Sequence, residues 1–447
     1  MRVVIIGGDA AGMSAASQSR RIQPDAEVVV LEQTQDVSYG ACGLPYKLPE
    51  GQEMEDLKII SAQRFRTERG IDLRLGHEVQ MLHPDEHRVS GRNADGSFDL
   101  SYDRLIVATG ARVSRPPIPG LEALWGKGAY PLKTLEDGRQ LKAALRGQPT
   151  SAVVIGGGYI GLEATENLRA RGIAVTVVEA LPHLLTFLPA ELRDKIYAEA
   201  QAHQVTLHLE TLVKGVNREG DGRIHVETSA GPLQADLVLV ATGVRPNSEL
   251  AAEAGIELGA AQSIAVDELL QTSAPDIYAA GDCADARHAM TGKSTWIPLA
   301  LRANRAGKLA GGNVLGRRDA APPVLGTAVF KFFGQQVGRT GLTEQEAREA
   351  GFDPVAVAIN GSTRAKYYPG GGKLGVWLLA DRSHRLLGGA MVGPEGAAHR
   401  IDTVAACLHA GLTVEQLYGM DLGYAPPYGP SWSPLLTCAS QLMKQLA

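Results

Sequence analysis

The chain has 447 residues, room for about three domains of ordinary size, with 44% apolar residues, 21% charged residues, 52 glycines and a net charge of −5. Frequent glycine between apolar runs suits an α/β protein with many tight turns, and the composition excludes fibrous and disordered chains. No long basic run supplies a footprint for nucleic acid, and the apolar runs are too short and too broken to span a membrane.

The opening residues, "MRVVIIGG", enter a strand at once and leave no space for a signal peptide, so the expected location is cytoplasmic. "RVVIIGGDAAGMSAASQSRR" then reads as a buried strand, a glycine turn and a helix. Gly7 and Gly12 take the first and third places of G-x-G-x-x-G, and Asp9 takes the second. In such a cradle the first glycine allows the turn, the second lets backbone approach a pyrophosphate, and the third lets helix pack on strand. A carboxylate at Asp9 is therefore expected to point away from the ligand. Glu32 ends the following strand, "EVVVLE", and suits a ribose hydroxyl.

"SYGACGLPYKL", from Ser38 to Leu48, carries Cys42 with no second cysteine near. Further on, "YDRLIVATG" reads as the return strand of the first nucleotide-binding unit, and Pro116 to Pro119 mark a crossing between domains. The next cradle is complete: Gly156, Gly158 and Gly161 follow an apolar strand, and Glu179 ends the strand after it. Glu179 would accept from both ribose hydroxyls, and no arginine follows to meet a 2′-phosphate, so NADH is favoured, with NADPH still open. Two dinucleotide cradles in one chain imply two dinucleotides, and a chain that binds a flavin and a nicotinamide is most simply a device that moves hydride from one to the other. "ADLVLVATGVRPN", with Gly243, repeats the Ala-Thr-Gly strand end, and "DIYAAGDCAD" ends a further strand in Gly281 and Asp282. The four cysteines, Cys42, Cys283, Cys407 and Cys438, are spaced for neither a disulfide framework nor a zinc site.

These motifs resemble, over essentially the whole chain, the FAD-dependent pyridine nucleotide-disulfide oxidoreductases. The resemblance implies two Rossmann-like domains plus a C-terminal α+β dimerisation domain. Residues 1–112 and 246–322 would bind FAD, 113–245 would bind NAD(P)H, and 323–447 would make a homodimer. It implies that Thr109, Gly110 and Asp282 lie on the FAD, that Leu299 and Ala300 reach the flavin ring, and that Glu163 stands near the nicotinamide. Members with an internal redox disulfide carry C-x-x-x-x-C, whose second cysteine would fall at Lys47. "SYGACGLPY" is similar instead to the single-cysteine branch, which includes coenzyme A-disulfide reductases, persulfide reductases and NADH oxidases and peroxidases.

In that branch the cysteine sits at a helix start, where the dipole favours thiolate. Peroxidases carry a histidine where Ala10 stands, so the likeness is to the coenzyme A-disulfide and persulfide reductases. It implies coenzyme A on Arg20, Arg21 and Ser38, and an active site shared between subunits, with Tyr428 of "APPY" and Tyr367 or Tyr368 of "AKYYPG" near the partner's cysteine. The substrate is then a small thiol or disulfide, with no nucleic acid or membrane as partner. Two readings stay open: an oxidase or peroxidase cycling through a cysteine sulfenic acid, and an electron-transfer flavoprotein serving a ferredoxin-like protein.

Overall fold

The computed structural model describes residues 1–220 and 222–447. Near-continuous apolar runs such as "RVVII", "EVVVLE" and "SAVVI" form parallel strands buried on both faces, which is why they do not alternate polar with apolar. In the first sheet the strand order is Ile277–Ala279, Arg104–Val107, Arg2–Ile6, Glu27–Glu32, Asp72–Leu75, all parallel. The second sheet repeats the plan with Thr206–His208, Ala174–Val178, Ser151–Ile155, Leu237–Val240 and Ala129–Tyr130. In each, the central strand ends in a glycine turn and is flanked by the strand that follows its helix and by the Ala-Thr-Gly strand. Both turns thus open at the carboxyl end of a topological switch point, where such sheets bind dinucleotides.

The chain leaves the first unit and returns to it through two antiparallel strands, Ala111–Val113 and Val244–Pro246, and the expected joints at 112/113 and 245/246 fall inside this pair. The C-terminal region is a five-stranded antiparallel sheet carrying the helices Ala397–His409 and Pro434–Leu446. Its core is continuous with that of the second parallel unit. No helix among the described residues is long and apolar enough to cross a membrane.

Two packing features position the site. The helix Ala300–Asn313 lies along the first-cradle helix, Ala10–Ile22, because Gly307 and Gly311 bring its backbone against the Ala11 and Ala15 carbonyls, where any Cβ would collide. The segment 36–58, which carries Cys42, is strapped onto the second unit. Leu44, Leu48 and Met54 are buried in one cluster with Leu135, Leu141 and Leu162. Asp36, 8% exposed, accepts from Arg139 Nη1 at 2.5 Å and Nη2 at 2.8 Å, and Lys58 Nζ stands 3.0 Å away. These cations hold the Asp36 carboxyl below its ordinary range, the Arg139 hydrogen bonds first among the causes. Arg139 rides on the helix Leu135–Leu145, whose start is fixed by a capping box between Thr134 and Asp137.

Leu48 is fully buried. Leu48→Ala is expected to lower the unfolding free energy by about 2–5 kcal/mol, the range for a core leucine that leaves a cavity. Chemical denaturation would show it, and a loss below about 1 kcal/mol would mean that the strap does not belong to the core.

Candidate active site

The two cradles are built alike down to single hydrogen bonds. A Cβ on Gly12 would strike the Gly7 carbonyl oxygen, and a Cβ on Gly161 would strike that of Gly156, so both helices need glycine to approach their own turns. Glu32 Oε2 accepts from the Gly8 N–H at 2.7 Å, while Oε1 accepts from the Thr34 N–H and hydroxyl, each at 2.7 Å. Glu179 does the same in the second unit, accepting from Gly157 N–H at 2.7 Å and Leu181 N–H at 2.9 Å. Each carboxylate fixes its glycine turn and keeps negative charge at the strand end, where a ribose would lie.

The Ala-Thr-Gly ends are tied to the linker strands in matching fashion. Thr109 Oγ1 donates to the Asn247 carbonyl at 2.6 Å and Asn247 Nδ2 donates back to the Thr109 carbonyl at 2.8 Å. The Gly110 carbonyl accepts from Asn247 N–H. In the second unit Thr242 Oγ1 donates to the Ser114 carbonyl, and Ser114 N–H donates to that of Gly243.

A cleft of about 1310 Å³ opens over the first cradle, larger than the usual range for one drug-sized ligand. Gly7, Glu32, Ser38, Cys42, Thr109, Gly110, Asp282 and Ala300 line it, whereas Leu299 does not. Asp9 is among the residues of the cleft wall, and its Oδ1 accepts from the Tyr39 N–H of the strap at 3.2 Å. Burial pushes the Asp9 carboxyl up to about 6, the Tyr39 N–H and Lys133 opposing, Glu32 and Asp282 adding. The residue sits at φ −103°, a conformation that does not demand glycine.

Cys42 opens onto this cleft and is the exposed cysteine, while Cys283, Cys407 and Cys438 are buried. Its turn departs from the expected helix start. Cys42 lies in a three-residue 3-10 turn, Ala41–Gly43, too short to supply the macrodipole that would favour thiolate. Burial by the surrounding walls pushes the thiol up, Glu163, Asp282 and Asp9 push the same way, and Lys133 pulls it down. Lys133 Nζ is 3.2 Å from Asp282 Oδ2, so a residue of the second unit places its ammonium at the centre of an acidic cleft in the first. Beside Cys42, Tyr46 donates to Glu163 Oε1 at 2.7 Å.

The adjacent arginines part company. Arg20 is absent from the cleft wall: its guanidinium is spent on the carbonyls of Arg69, Pro24 and Ala26. Arg21 lines the cleft, joined there by Arg69, Arg305 and Lys308, none of which the sequence motifs singled out. Arg69 Nη1 donates to Ser17 Oγ at 2.6 Å. Tyr367 and Tyr428 are each 75% exposed on the C-terminal unit, and neither lines the cleft within one chain. The Tyr367 hydroxyl lies 2.7 Å from that of Tyr424, and the Tyr428 carbonyl accepts from Arg400.

Gly158 differs from Gly161 in an informative way: nothing lies within 4 Å of a Cβ built there, and its φ of −77° suits any residue. Gly161→Ala is thus expected to destabilise the second unit. Gly158→Ala should fold with an unchanged melting temperature yet weaken dinucleotide binding by about tenfold, since the glycine serves a ligand's approach. Thermal melts and nucleotide titrations of both variants check this, and unaltered binding in folded Gly158→Ala would contradict it.

Comparison with known proteins bears on what this geometry belongs to. The profile described as pyridine nucleotide-disulphide oxidoreductase matches residues 1–307, and that of the family's dimerisation domain matches residues 327–434. The chain is similar to the NAD(P)H coenzyme A polysulfide/persulfide reductase of Pyrococcus horikoshii, with 39% identity over 99% of this chain and 98% of that one. It is 35% identical to an NADH oxidase of Methanocaldococcus jannaschii, over 100% of both chains. The structure of an NAD-dependent persulfide reductase from A. fulgidus superimposes with a TM-score of 0.95 at 35% identity, covering 100% of this chain and 83% of that one. Paired glycine cradles, an exposed cysteine between them and a C-terminal antiparallel sheet thus have one common source, and the chain belongs to the pyridine nucleotide-disulphide oxidoreductases.

Proposed function

We propose that this protein uses NAD(P)H to reduce coenzyme A disulfide, or the persulfide of coenzyme A, through Cys42 as its one redox-active sulfur. The observation that carries the reading is the solitary exposed thiol on the cleft of the first cradle, with Lys47 ion-paired to Asp56 at 2.8 Å where a second redox cysteine would stand. With no second cysteine there, Cys42 works alone or with a thiol from outside the protein, and this reading takes the second course.

The residues present fit FAD in the first cradle. Gly7 and Gly12 shape the turn at a helix N-terminus, Glu32 meets the ribose, and Thr109, Gly110 and Asp282 line the cleft beyond. Ala300 bounds the flavin end, with Leu299 one residue behind it. FAD supplies, when bound, the two-electron relay between nicotinamide and sulfur. Gly156, Gly158, Gly161, Glu163 and Gly243 form the NADH site of the second unit. The Glu179 carboxylate there opposes a 2′-phosphate, which favours NADH over NADPH.

The Cys42 thiolate attacks one sulfur of the disulfide. A Cys42–sulfur bond forms as the substrate's sulfur–sulfur bond breaks, and the departing thiolate takes a proton. Tyr428 of the partner subunit is the donor this reading assigns, with Tyr367 as the second phenol, which makes the dimer obligatory. Two electrons and a proton, drawn from NADH and solvent, then cleave the mixed disulfide, release the second thiol and restore the Cys42 thiolate. With a persulfide the product released is sulfide. Lys133 offsets the acidic walls that disfavour that thiolate. Ser38 shares the cleft wall with Cys42, and Arg21, Arg69, Arg305 and Lys308 of the same wall supply cations that suit coenzyme A phosphates. Arg20, engaged with backbone carbonyls, shapes the helix end instead. Free thiols without a disulfide suit the cytoplasm, where we place the reaction.

Cys42→Ser is expected to lose about 1,000-fold or more in coenzyme A disulfide turnover, and Arg69→Ala to raise KM for that substrate about tenfold without moving KM for NADH. Steady-state assays with both substrates check this. Full turnover in Cys42→Ser with a one-electron acceptor as the preferred oxidant would turn the reading to an electron-transfer flavoprotein. Oxygen consumed in step with NADH, regardless of disulfide, would turn it to an oxidase.

A further inference from the structure

Asp9 stands in the second place of the first G-x-G-x-x-G, where backbone approaches a pyrophosphate, and it lines the cleft at the start of the helix Ala10–Ile22. An aspartate at a helix start ordinarily accepts from that helix's own first N–H groups. This one does not. Its side chain makes no capping bond, and Oδ1 accepts instead from the Tyr39 N–H at 3.2 Å. The helix start is thereby left open to an anion, with a carboxylate held beside it. The strap that supplies the Tyr39 N–H is anchored through Leu44 and Leu48 in the core of the second unit, so the carboxylate is tied to a fixed wall.

The carboxylates of this cradle are unequally provided for. Glu32 accepts from the Gly8 N–H, the Thr34 N–H and the Thr34 hydroxyl, each at 2.7 Å. Asp282 has the Lys133 ammonium at 3.2 Å. The Asp9 carboxylate has the Tyr39 N–H as its one hydrogen-bond donor among the described residues. The titratable groups that face it are Glu32 from the strand Glu27–Glu32, Tyr39 and Cys42 from the strap, Asp282 from the loop after Ile277–Ala279, and Lys133 from the second unit. Burial, with Glu32 and Asp282 adding, pushes the Asp9 carboxyl up to about 6 against the Tyr39 N–H and Lys133. A pyrophosphate brings further negative charge to the same turn, and of the carboxylates there Asp9 is the one least held in its charged form.

We propose that FAD enters the first cradle together with one proton from solvent, which neutralises the Asp9 carboxylate, so that the hold of this chain on FAD weakens as pH rises. The change is Asp9–COO⁻ plus H⁺ giving Asp9–COOH, with no bond made or broken in the cofactor. Asp9 is in this way a determinant of cofactor affinity and takes no part in the sulfur chemistry. A ligand that raises the pKa of a carboxyl binds best where that carboxyl is already protonated. Affinity is therefore expected to be highest below about pH 6 and to fall roughly tenfold per pH unit above it, until the carboxyl of the complex itself ionises. The inference rests on the first cradle as the FAD site, and not on which disulfide Cys42 meets.

The test is the FAD dissociation constant of the full chain, read from flavin fluorescence as the holoenzyme is diluted to equilibrium with a chelator present, from about pH 5 to 8.5. Asp9→Asn keeps an oxygen for the Tyr39 N–H, and Asp9→Gly puts the glycine of the motif in its place. Both are expected to lose the native slope and to bind FAD at least about tenfold more tightly than the native chain at pH 8. Circular dichroism of each variant checks the fold. Native and variant curves that superimpose would overturn the proposal and leave the FAD site standing. A native chain that retains no flavin at any pH would overturn the FAD reading and the proposal with it. Affinity that rises with added magnesium in the native chain and not in Asp9→Asn would also overturn it, because the carboxylate would then meet the pyrophosphate through a cation.

Discussion

The architecture depends on the burial of one strap of the first unit in the core of the second. Leu44, Leu48 and Met54 leave the flavin side of the molecule and pack among the leucines of the helix Leu135–Leu145 and of the second-cradle helix. Each buried anchor contributes on the order of 2 kcal/mol, which offsets part of the entropy of ordering the segment. The Asp36 ion pairs with Arg139 and Lys58 then fix direction where apolar packing alone would tolerate slippage. Remove that anchoring and the two cradles are separate nucleotide sites. With it, a cysteine stands between them.

Electrostatics set the terms on which that cysteine works. The cleft centre is acidic, with Asp9, Glu32 and Asp282 on its wall, and the 3-10 turn lends Cys42 no helix dipole. A thiol in such surroundings holds its proton, and Lys133 is the counterweight reaching in from the other unit. Other basic residues on the cleft wall come from several elements, Arg21 from the first-cradle helix, Arg69 from the helix Ala62–Arg69, and Arg305 and Lys308 from Ala300–Asn313, and together they suit a ligand carrying phosphates.

The cradles were legible in the sequence because their constraints are local. Glycines three and five places apart, a buried strand before them and a carboxylate at the next strand end are all read within some thirty residues, and the hydrogen bonds of Glu32 and Glu179 follow from that spacing. Residues recruited across segments were not legible. Lys133 sits ahead of a helix cap, Arg69 ends a helix with an ordinary basic last turn, and Tyr46 reads as one aromatic in a proline turn; only the fold aims them. Arg20 and Arg21 show the limit within a single helix: neighbours there point about 100° apart, so one can face the cleft and the other cannot. The Tyr39 N–H that Asp9 accepts from was not legible either, because it lies thirty residues further on.

The central claim is that Cys42 exchanges with coenzyme A, and mass spectrometry of the intact, unreduced protein beside Cys42→Ser tests it most directly. The account predicts a dithiothreitol-labile adduct of coenzyme A mass on the native chain that is missing from the variant. A Cys42 that stays bare or carries only oxygen, even after incubation with coenzyme A disulfide, would contradict it and point to sulfenic acid chemistry at the same sulfur.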